Sequence, residues 1–260
     1  MPDVPRPDVP RPDVPRLDVL ALAAHPDDVE LCAGGTMCLL AKQGYRTGIV
    51  DFTRGELGTR GTPETRLAEA QRASEILGLA ARENLGLPDG GLDDTPAHRL
   101  AVIRAVRRHR PAVVLLNAPE DRHPDHGHAA RLAAHALFYA GLARIETEDD
   151  DGSPQAPWRP FHALHYMQAV EFTPTLVVDV TDVWEQRMAA LMAFESQFGV
   201  SDGAPQTFIA NPGFLEWVEA RARAYGYRIG ATYGEPLLYR HGPIGVSDLG
   251  AFLGRERPFR

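Results

Sequence analysis

Cysteine, net positive charge and long apolar runs are all scarce in this 260-residue sequence. The two cysteines, Cys32 and Cys38, have no further cysteines with which to form a disulfide framework, which favours a reducing compartment. A formal net charge of −8 argues against binding to nucleic-acid backbones, which requires clustered lysine and arginine. No apolar run approaches the roughly 20 residues that span a bilayer, and the N-terminus lacks an apolar signal core. We therefore expect a soluble, cytoplasmic protein with no nucleic-acid or membrane partner.

The N-terminus carries three copies of Pro-Asp-Val-Pro-Arg, at residues 2–6, 7–11 and 12–16. Proline fixes φ, removes a hydrogen-bond donor and disfavours helix for the residue before it. We therefore expect residues 1–16 to be a disordered tail, with a partner-binding arm or a stretch upstream of the true start as alternatives. With 44% hydrophobic residues, the remaining 17–260 can bury a core, and we expect one domain there.

Apolar runs and helical periodicity alternate after the tail. The predicted strands are 17–24, 47–52, 84–87, 112–116, 162–169 and 176–180, and the predicted helices are 35–43, 64–77, 97–109, 127–139, 181–194 and 214–225. This alternation predicts an α/β fold with a Rossmann-like, mainly parallel sheet and helices on both faces. The segments beyond Gly141 are expected to form a C-terminal extension that closes the site.

Two histidine- and aspartate-rich blocks each follow a predicted strand. The first runs from His25 to Glu30 (His-Pro-Asp-Asp-Val-Glu) and the second from His123 to His128 (His-Pro-Asp-His-Gly-His). Ligands of such sheets bind beyond the carboxyl ends of the strands, so both blocks should lie on loops at one edge. The sequence therefore predicts a metal site at this edge.

His25, Asp28 and His126 are the expected metal ligands. Two imidazole nitrogens and one carboxylate oxygen, with an open position for water, suit catalytic zinc, and iron(II) accepts the same donors. His128 remains an alternative to His126. An aspartate after a strand is also a common helix N-cap or turn residue, although the second block makes that explanation weaker here.

The remaining groups of the two blocks suit catalysis. Asp27 is left beside the metal, where it can accept a proton from water as general base. His123 in the second block can stabilise an oxyanion or donate a proton to a leaving amine. Asp125 is close enough in sequence to orient an imidazole.

These motifs resemble the PIG-L-like (LmbE-like) zinc-dependent N-acetylglucosamine deacetylases. Shorter strings resemble the bacillithiol-biosynthesis deacetylases within that family: residues 54–62, 87–89, 120–122 and 195–198. The resemblance implies metal ligands at His25, Asp28 and His126, a base at Asp27 and an electrostatic or acid role for His123 supported by Asp125. It also implies that Arg66 and Asp89 line the sugar site, although the first could be an exposed helix residue and the second a turn residue.

Arg122, directly before His123, is a third candidate for substrate binding. A guanidinium there can hold a carboxylate bidentately, as a malate aglycone would need, or it can form a surface ion pair with Asp121 or Glu120. The acidic insertion at 146–151 and the segment 233–237 depart from the bacillithiol enzymes, which leaves the aglycone pocket and the contacts of a possible homo-oligomer open.

The expected function is removal of acetyl from a small N-acetylglucosaminyl (GlcNAc) glycoside, above all N-acetylglucosaminyl-malate in bacillithiol biosynthesis. Three alternatives remain: deacetylation of another GlcNAc glycoside or small amide, hydrolysis of a phosphoester, and non-catalytic sugar binding on the same fold.

Overall fold

Seven strands form one sheet in the computed structural model, which describes residues 16–199, 205–240 and 242. The strands are β1 Val19–Ala23, β2 Thr47–Asp51, β3 Ala81–Asn84, β4 Val113–Leu116, β5 His162–Tyr166, β6 Leu176–Asp179 and β7 Gly234–Tyr239. The helices are α1 Asp28–Cys32, α2 Gly34–Lys42, α3 Pro63–Leu77, α4 Pro96–His109, α5 Pro124–Ala140, α6 Trp184–Met192, α7 Glu195–Phe198 and α8 Pro212–Ile229, with a 3₁₀ turn at Thr181–Val183.

The strand order is β3-β2-β1-β4-β5-β7-β6. The first five strands are parallel, and β7 runs antiparallel between β5 and β6. Successive residues of β1 point to opposite faces, so Ala21 belongs to the core cluster that includes α2 and α3, and Leu20 to the cluster that includes α4 and α5. The predicted Rossmann-like α/β fold with helices on both faces is confirmed.

Local sequence signals explain where the helices begin and end. Thr62 caps α3 by accepting a hydrogen bond from the backbone N–H of Thr65, and Pro63 follows as the first helical residue. Gly78 ends α3 in the left-handed conformation at φ 73°, which glycine adopts without a steric cost. These caps hold α3 in the position from which it reaches the site described below.

Several elements differ from their prediction, among them the helix predicted at 181–194, which is divided into the 3₁₀ turn and α6, and the first histidine block, whose residues 28–30 lie in α1 and not on a loop. The strand predicted at 84–87 lies earlier, at Ala81–Asn84, because this edge strand is only partly buried and carries polar residues. The strand Gly234–Tyr239 was not predicted, because it contains a proline. Proline is uncommon in a strand that has neighbours on both sides, as this one does. Helix α5 begins at Pro124 rather than 127, so most of the second histidine block lies in a helix and not on a loop.

The proline-rich repeat lies outside the described residues except for Arg16. Within the described residues, none of the helices combines the length and the apolar character that crossing a bilayer requires.

Candidate metal centre and active site

The two histidine blocks meet at the point where the sheet reverses its strand order. The neighbouring parallel strands β1 and β4 end side by side there, and the chain continues from them to opposite halves of the sheet. His25 follows β1 directly after Ala24, and His123 is the N-cap of α5 beyond the end of β4. This crevice is the usual ligand site of an open α/β sheet.

Three protein donors hold the Asp28 carboxylate at the base of the crevice. One oxygen accepts the backbone N–H of His25 and the side-chain amide of Asn117, both at 3.0 Å. The other oxygen accepts the side-chain amide of Gln168 at 3.1 Å and lies 3.1 Å from Nε2 of His126. Burial disfavours the charged carboxylate, but the charge and hydrogen bond of His126 hold the pKa of Asp28 well below its usual range.

The ring of His25 is oriented by two carboxylates. Its Nε2 lies 3.0 Å from Asp89 Oδ1 and 3.3 Å from Asp125 Oδ2, while its Nδ1 lies 3.8 Å from Asp28. Burial opposes the charge on the ring, but these carboxylates raise the pKa of His25 to about 10. A proton on Nε2 that is shared with Asp89 leaves Nδ1 free to bind a metal.

His126 is oriented in the same way by Asp121. The ring Nδ1 lies 2.6 Å from Asp121 Oδ2, and the other oxygen of Asp121 accepts the backbone N–H of Val170 at 2.8 Å. Burial lowers the pKa of His126, but Asp28 and Asp121 outweigh burial and raise it to about 9. The Nε2 atom therefore faces Asp28 with its tautomer set by a second carboxylate, as is common for metal-binding histidines.

The donor atoms fit a divalent metal. One nitrogen each of His25, His123 and His126 lie within 4.8 Å of one another, and the Asp28 carboxylate lies against two of these rings. A second set of donors within the same distance limit consists of His25, Asp89 and Asp125. Nitrogen and carboxylate donors in such a cluster suit zinc or iron(II).

Asp27 lies beside this cluster with a strained backbone. It is the N-cap of α1 with φ 110° and ψ −22°, a region that aspartate and asparagine enter more readily than other non-glycine residues. Burial raises the pKa of Asp27 to about 7, although the nearby Arg66 favours the charged form. A buried carboxylate that takes up a proton near neutral pH is suited to general-base chemistry.

Arg66 contacts Asp27 directly instead of lying exposed on its helix. The guanidinium is buried, with Nη2 2.9 Å from Asp27 Oδ2 and a hydrogen bond to the carbonyl of Pro26. It passes over Gly55, where φ is 67° and a Cβ atom would clash with the guanidinium. Arg66 therefore fixes the direction of the Asp27 carboxylate as well as lining the cavity.

His123 and Asp125 lie in the site, but they contact each other in a way that was not predicted. The backbone N–H of Asp125, and not its carboxylate, donates to His123 Nδ1 at 3.3 Å, while the Asp125 carboxylate faces His25. Burial and the charges of His25 and His126 lower the pKa of His123. The imidazole that Asp125 orients by its carboxylate is therefore His25, because α5 already begins at Pro124 and turns that side chain away from its cap.

A cavity of about 360 Å³ opens over these groups. The predicted substrate residues Arg66, Asp89 and Arg122 all line it, and so do residues of the C-terminal segment. In place of an ion pair with Asp121 or Glu120, the Arg122 guanidinium lies over the ring of Phe208, 4.1 Å from its centroid. His128 does not line the cavity and instead lies 3.7 Å from Asp93 at the surface.

Sequence reasoning missed three polar residues that position the ligand candidates: Asn117, Asp121 and Gln168. Asn117 directly follows the apolar run of β4, and Gln168 follows β5 by two residues. A polar residue just beyond the carboxyl end of a buried strand was the available signal. Asp121 belongs to the same loop as Asn117.

Comparison with known proteins agrees with this geometry. A model of the PIG-L family, described as GlcNAc-PI de-N-acetylase, matches residues 20–137. Diacetylchitobiose deacetylase of Thermococcus kodakarensis is 32% identical over 194 residues, covering 69% of this chain and 70% of that protein. A probable N-acetyl-alpha-D-glucosaminyl L-malate deacetylase 2 of Bacillus cereus is 29% identical over 198 residues, covering 69% and 83%.

Two further proteins are similar to this chain. A 4-oxalmesaconate hydratase of Pseudomonas putida is 30% identical over 196 residues, covering 68% of this chain and 73% of that protein. The solved structure of the conserved protein TT1542 from Thermus thermophilus is 40% identical, with a TM-score of 0.79, and covers 89% of this chain and 98% of that one. The chain belongs to the PIG-L family. By class it is an N-deacetylase.

Proposed function

We propose that the chain releases acetate from N-acetylglucosaminyl-malate, a step of bacillithiol biosynthesis in the cytoplasm. The main support for this chemistry is the buried Asp27 carboxylate. It lies beside the proposed metal donors His25, Asp28 and His126 but pairs with Arg66, so it is available as a base. The two buried free cysteines agree with a reducing compartment.

His25, Asp28 and His126 would hold the metal, with Zn²⁺ as our first choice and Fe²⁺ as the alternative. A divalent ion supplies Lewis acidity, which lowers the pKa of water and polarises a carbonyl group. Gln168 and Asn117 keep the Asp28 carboxylate in one orientation by donating to its two oxygens. These hydrogen bonds fix the orientation of one proposed ligand.

Asp27 accepts the proton of the water molecule that attacks the acetamide carbonyl carbon. Arg66, fixed by the Pro26 carbonyl, holds the Asp27 carboxylate in position for this transfer. The ring of His123 lies 4.7 Å from that of His25, centroid to centroid, and its N–H donates a hydrogen bond that stabilises the oxyanion, while Asp27 passes the proton taken from water to the amine nitrogen. The C–N bond then breaks, and the products are acetate and a glucosamine with a free amine.

The malate aglycone is supported by Arg122 and by one relative. Arg122 lines the cavity next to His123, and its position over Phe208 leaves the N–H edge of the guanidinium available for a carboxylate. The Bacillus cereus relative is named for an N-acetylglucosaminyl malate substrate.

The test is acetate release from N-acetylglucosaminyl-malate and from free N-acetylglucosamine by zinc- and iron-loaded protein. We expect a higher kcat/KM for the malate glycoside, and loss of acetate release in Asp27→Asn with its metal content retained. Acetate release from neither substrate would refute the proposal.

The same protein samples separate the other candidate functions. Because one relative is a hydratase, loss of an alkene absorbance on an unsaturated dicarboxylate without acetate release would favour hydration. Binding of N-acetylglucosamine without turnover would indicate a sugar-binding module. Phosphate release from a phosphoester panel would indicate a phosphoesterase.

A further inference from the structure

One wall of the cavity differs chemically from the acidic donors. This wall consists of residues 207–209 and helix α8, and it presents the aromatic rings of Phe208, Phe214 and Trp217. At about 360 Å³ the cavity falls within the range that encloses a whole small ligand. A ligand whose acetamide lies at the donor cluster can therefore extend towards α8.

Arg221 of α8 lines this cavity and is only 9% exposed. Its guanidinium carbon lies 4.5 Å from the centroid of the Trp217 ring, and one nitrogen donates to the backbone carbonyl of Gln168. Among residues 16–199, 205–240 and 242, no carboxylate oxygen lies within 4.0 Å of its nitrogens. A buried cation without a charged partner is uncommon.

Other buried arginines show how the fold normally satisfies a guanidinium. Arg82 forms ion pairs with Asp51 and Glu30, and Arg66 pairs with Asp27. Arg107, which has no ion pair within the described residues, donates instead to three backbone carbonyls and a threonine hydroxyl. Arg221 has neither arrangement, and unlike Arg107 it borders the cavity.

Two further arginines of the cavity, Arg60 and Arg122, also lack a carboxylate partner within the described part of the chain. The aspartates of the cavity, in contrast, all face a histidine or Arg66. The acidic groups of the cavity are therefore paired, whereas three of its arginines are not, and two of these, Arg122 and Arg221, lie at the wall formed by residues 207–209 and α8. An anion carried by the ligand would complement the α8 side.

We propose that Arg221 is the anchor of an anion subsite that binds a carboxylate of the substrate's aglycone, a role that rests on the proposed deacetylase function. Stacking on Trp217 and the bond to Gln168 fix the plane of the guanidinium, so the free N–H donors can meet a carboxylate bidentately with little loss of entropy. With Arg122 as a second cation, the subsite suits a dicarboxylate.

Gln168 connects this subsite to the reacting centre. Its carbonyl accepts from Arg221, and its side chain donates to Asp28. An aglycone bound by Arg221 is therefore held in a fixed position relative to the proposed metal ligand Asp28. Binding energy gained at the anion can then be used to position the acetamide.

The binding test measures the affinity of the metal-loaded protein for L-malate by calorimetry in wild type, Arg221→Gln and Arg223→Gln. Arg223 is the matched control, because it lies on the same helix, carries the same charge and pairs with Glu219 at the surface. We expect Arg221→Gln to weaken L-malate binding about 10- to 100-fold, as for loss of a charged hydrogen bond, and Arg223→Gln to change it less than about twofold. L-Malate that binds the metal alone would be indifferent to residue 221, and that outcome overturns the inference.

The kinetic test separates this inference from the proposed function. We expect Arg221→Gln to lower the ratio of kcat/KM for N-acetylglucosaminyl-malate to that for free N-acetylglucosamine by a similar factor. If wild type releases acetate but this ratio stays constant in the variant, the anion subsite is wrong and the deacetylase function stands. If no acetate is released but L-malate binding still depends on residue 221, the subsite stands and the deacetylase function is wrong.

If Arg221→Gln does not fold, Arg221→Lys replaces it in both tests. Lysine keeps the charge but lacks the planar fork of the guanidinium, so we expect the same losses of L-malate affinity and of substrate preference, but smaller ones.

Discussion

Replacing Asp27 with asparagine should stabilise the metal-free protein, although it removes the proposed catalytic base. The carboxylate is only 8% exposed, and burial raises its pKa from 3.8 to about 7 in spite of the adjacent Arg66. Ionising this group in the folded state therefore costs free energy that the unfolded chain does not incur. Asparagine has the same shape, tolerates the positive φ of this position and never ionises.

The pH dependence follows from the direction of the shift. Below about pH 4 the group is protonated in both states, so its ionisation has no effect on stability. Between about pH 4 and 7 the unfolded chain loses the proton while the folded chain keeps it, so the wild type loses stability as the pH rises. Above pH 7 the loss is complete, and about 3 pKa units at about 1.4 kcal/mol each give an upper value of roughly 4 kcal/mol.

The assay is urea unfolding with a chelator present, followed by tryptophan fluorescence at pH 5, 6, 7 and 8. The free energy of unfolding of Asp27→Asn minus that of wild type should grow from pH 5 to about pH 7 and level off towards pH 8. Asp182→Asn, which removes one exposed carboxylate from the 3₁₀ turn, controls for the change in net charge. A difference that does not change with pH, or a variant less stable than wild type at pH 8, would refute this account of Asp27.

Three other predictions concern the ligand set and the fold. His126→Ala should lose the metal in elemental analysis, whereas the surface variant His128→Ala should keep it; equal metal content in both would contradict the assignment. Gln168→Ala should weaken metal affinity about 10- to 100-fold in a chelator competition, because an orienting hydrogen bond is lost, while the exposed Gln71→Ala should not. Burial opposes ionisation of Glu83, but its bonds to His109 and Arg108 outweigh burial and lower its pKa. The ionised carboxylate therefore stabilises the folded state above the unfolded pKa, near 4.3, and this stabilisation is lost as the pH falls. The unfolding free energy of Glu83→Gln should therefore be below that of wild type at pH 7 and approach it at low pH, and a gap that persists in acid would argue against this ion pair.

The central strands could be predicted from the sequence because a parallel sheet buries both faces of each strand. Every residue of β1 and of β2 is buried, and both strands were predicted within two residues. The edge strand β3 lacks this signal, since it is half-buried and polar. Pro236 obscured β7, because proline is uncommon in a strand with neighbours on both sides.

The candidate site was predictable to the extent that its groups are neighbours in sequence. His25 and Asp28 lie in one block and His126 in another, and both blocks follow strands. Gln168 and Arg221 belong to no motif, and each is brought to the site only by the fold, 140 positions from Asp28 in the first case. A single glutamine or arginine in a sequence does not show whether its side chain lies in a site or is exposed to solvent at the surface.

Gly55 has a consequence for how this protein tolerates change. Its left-handed backbone and the guanidinium of Arg66 directly above it both exclude a side chain. In a saturation library at position 55 selected for activity, glycine should be the sole survivor, while a library in an Arg66→Ala background should also admit asparagine and aspartate. The identity of residue 55 is thus determined by Arg66, eleven positions further along the chain. Arg66 in turn orients the Asp27 carboxylate at the start of another helix.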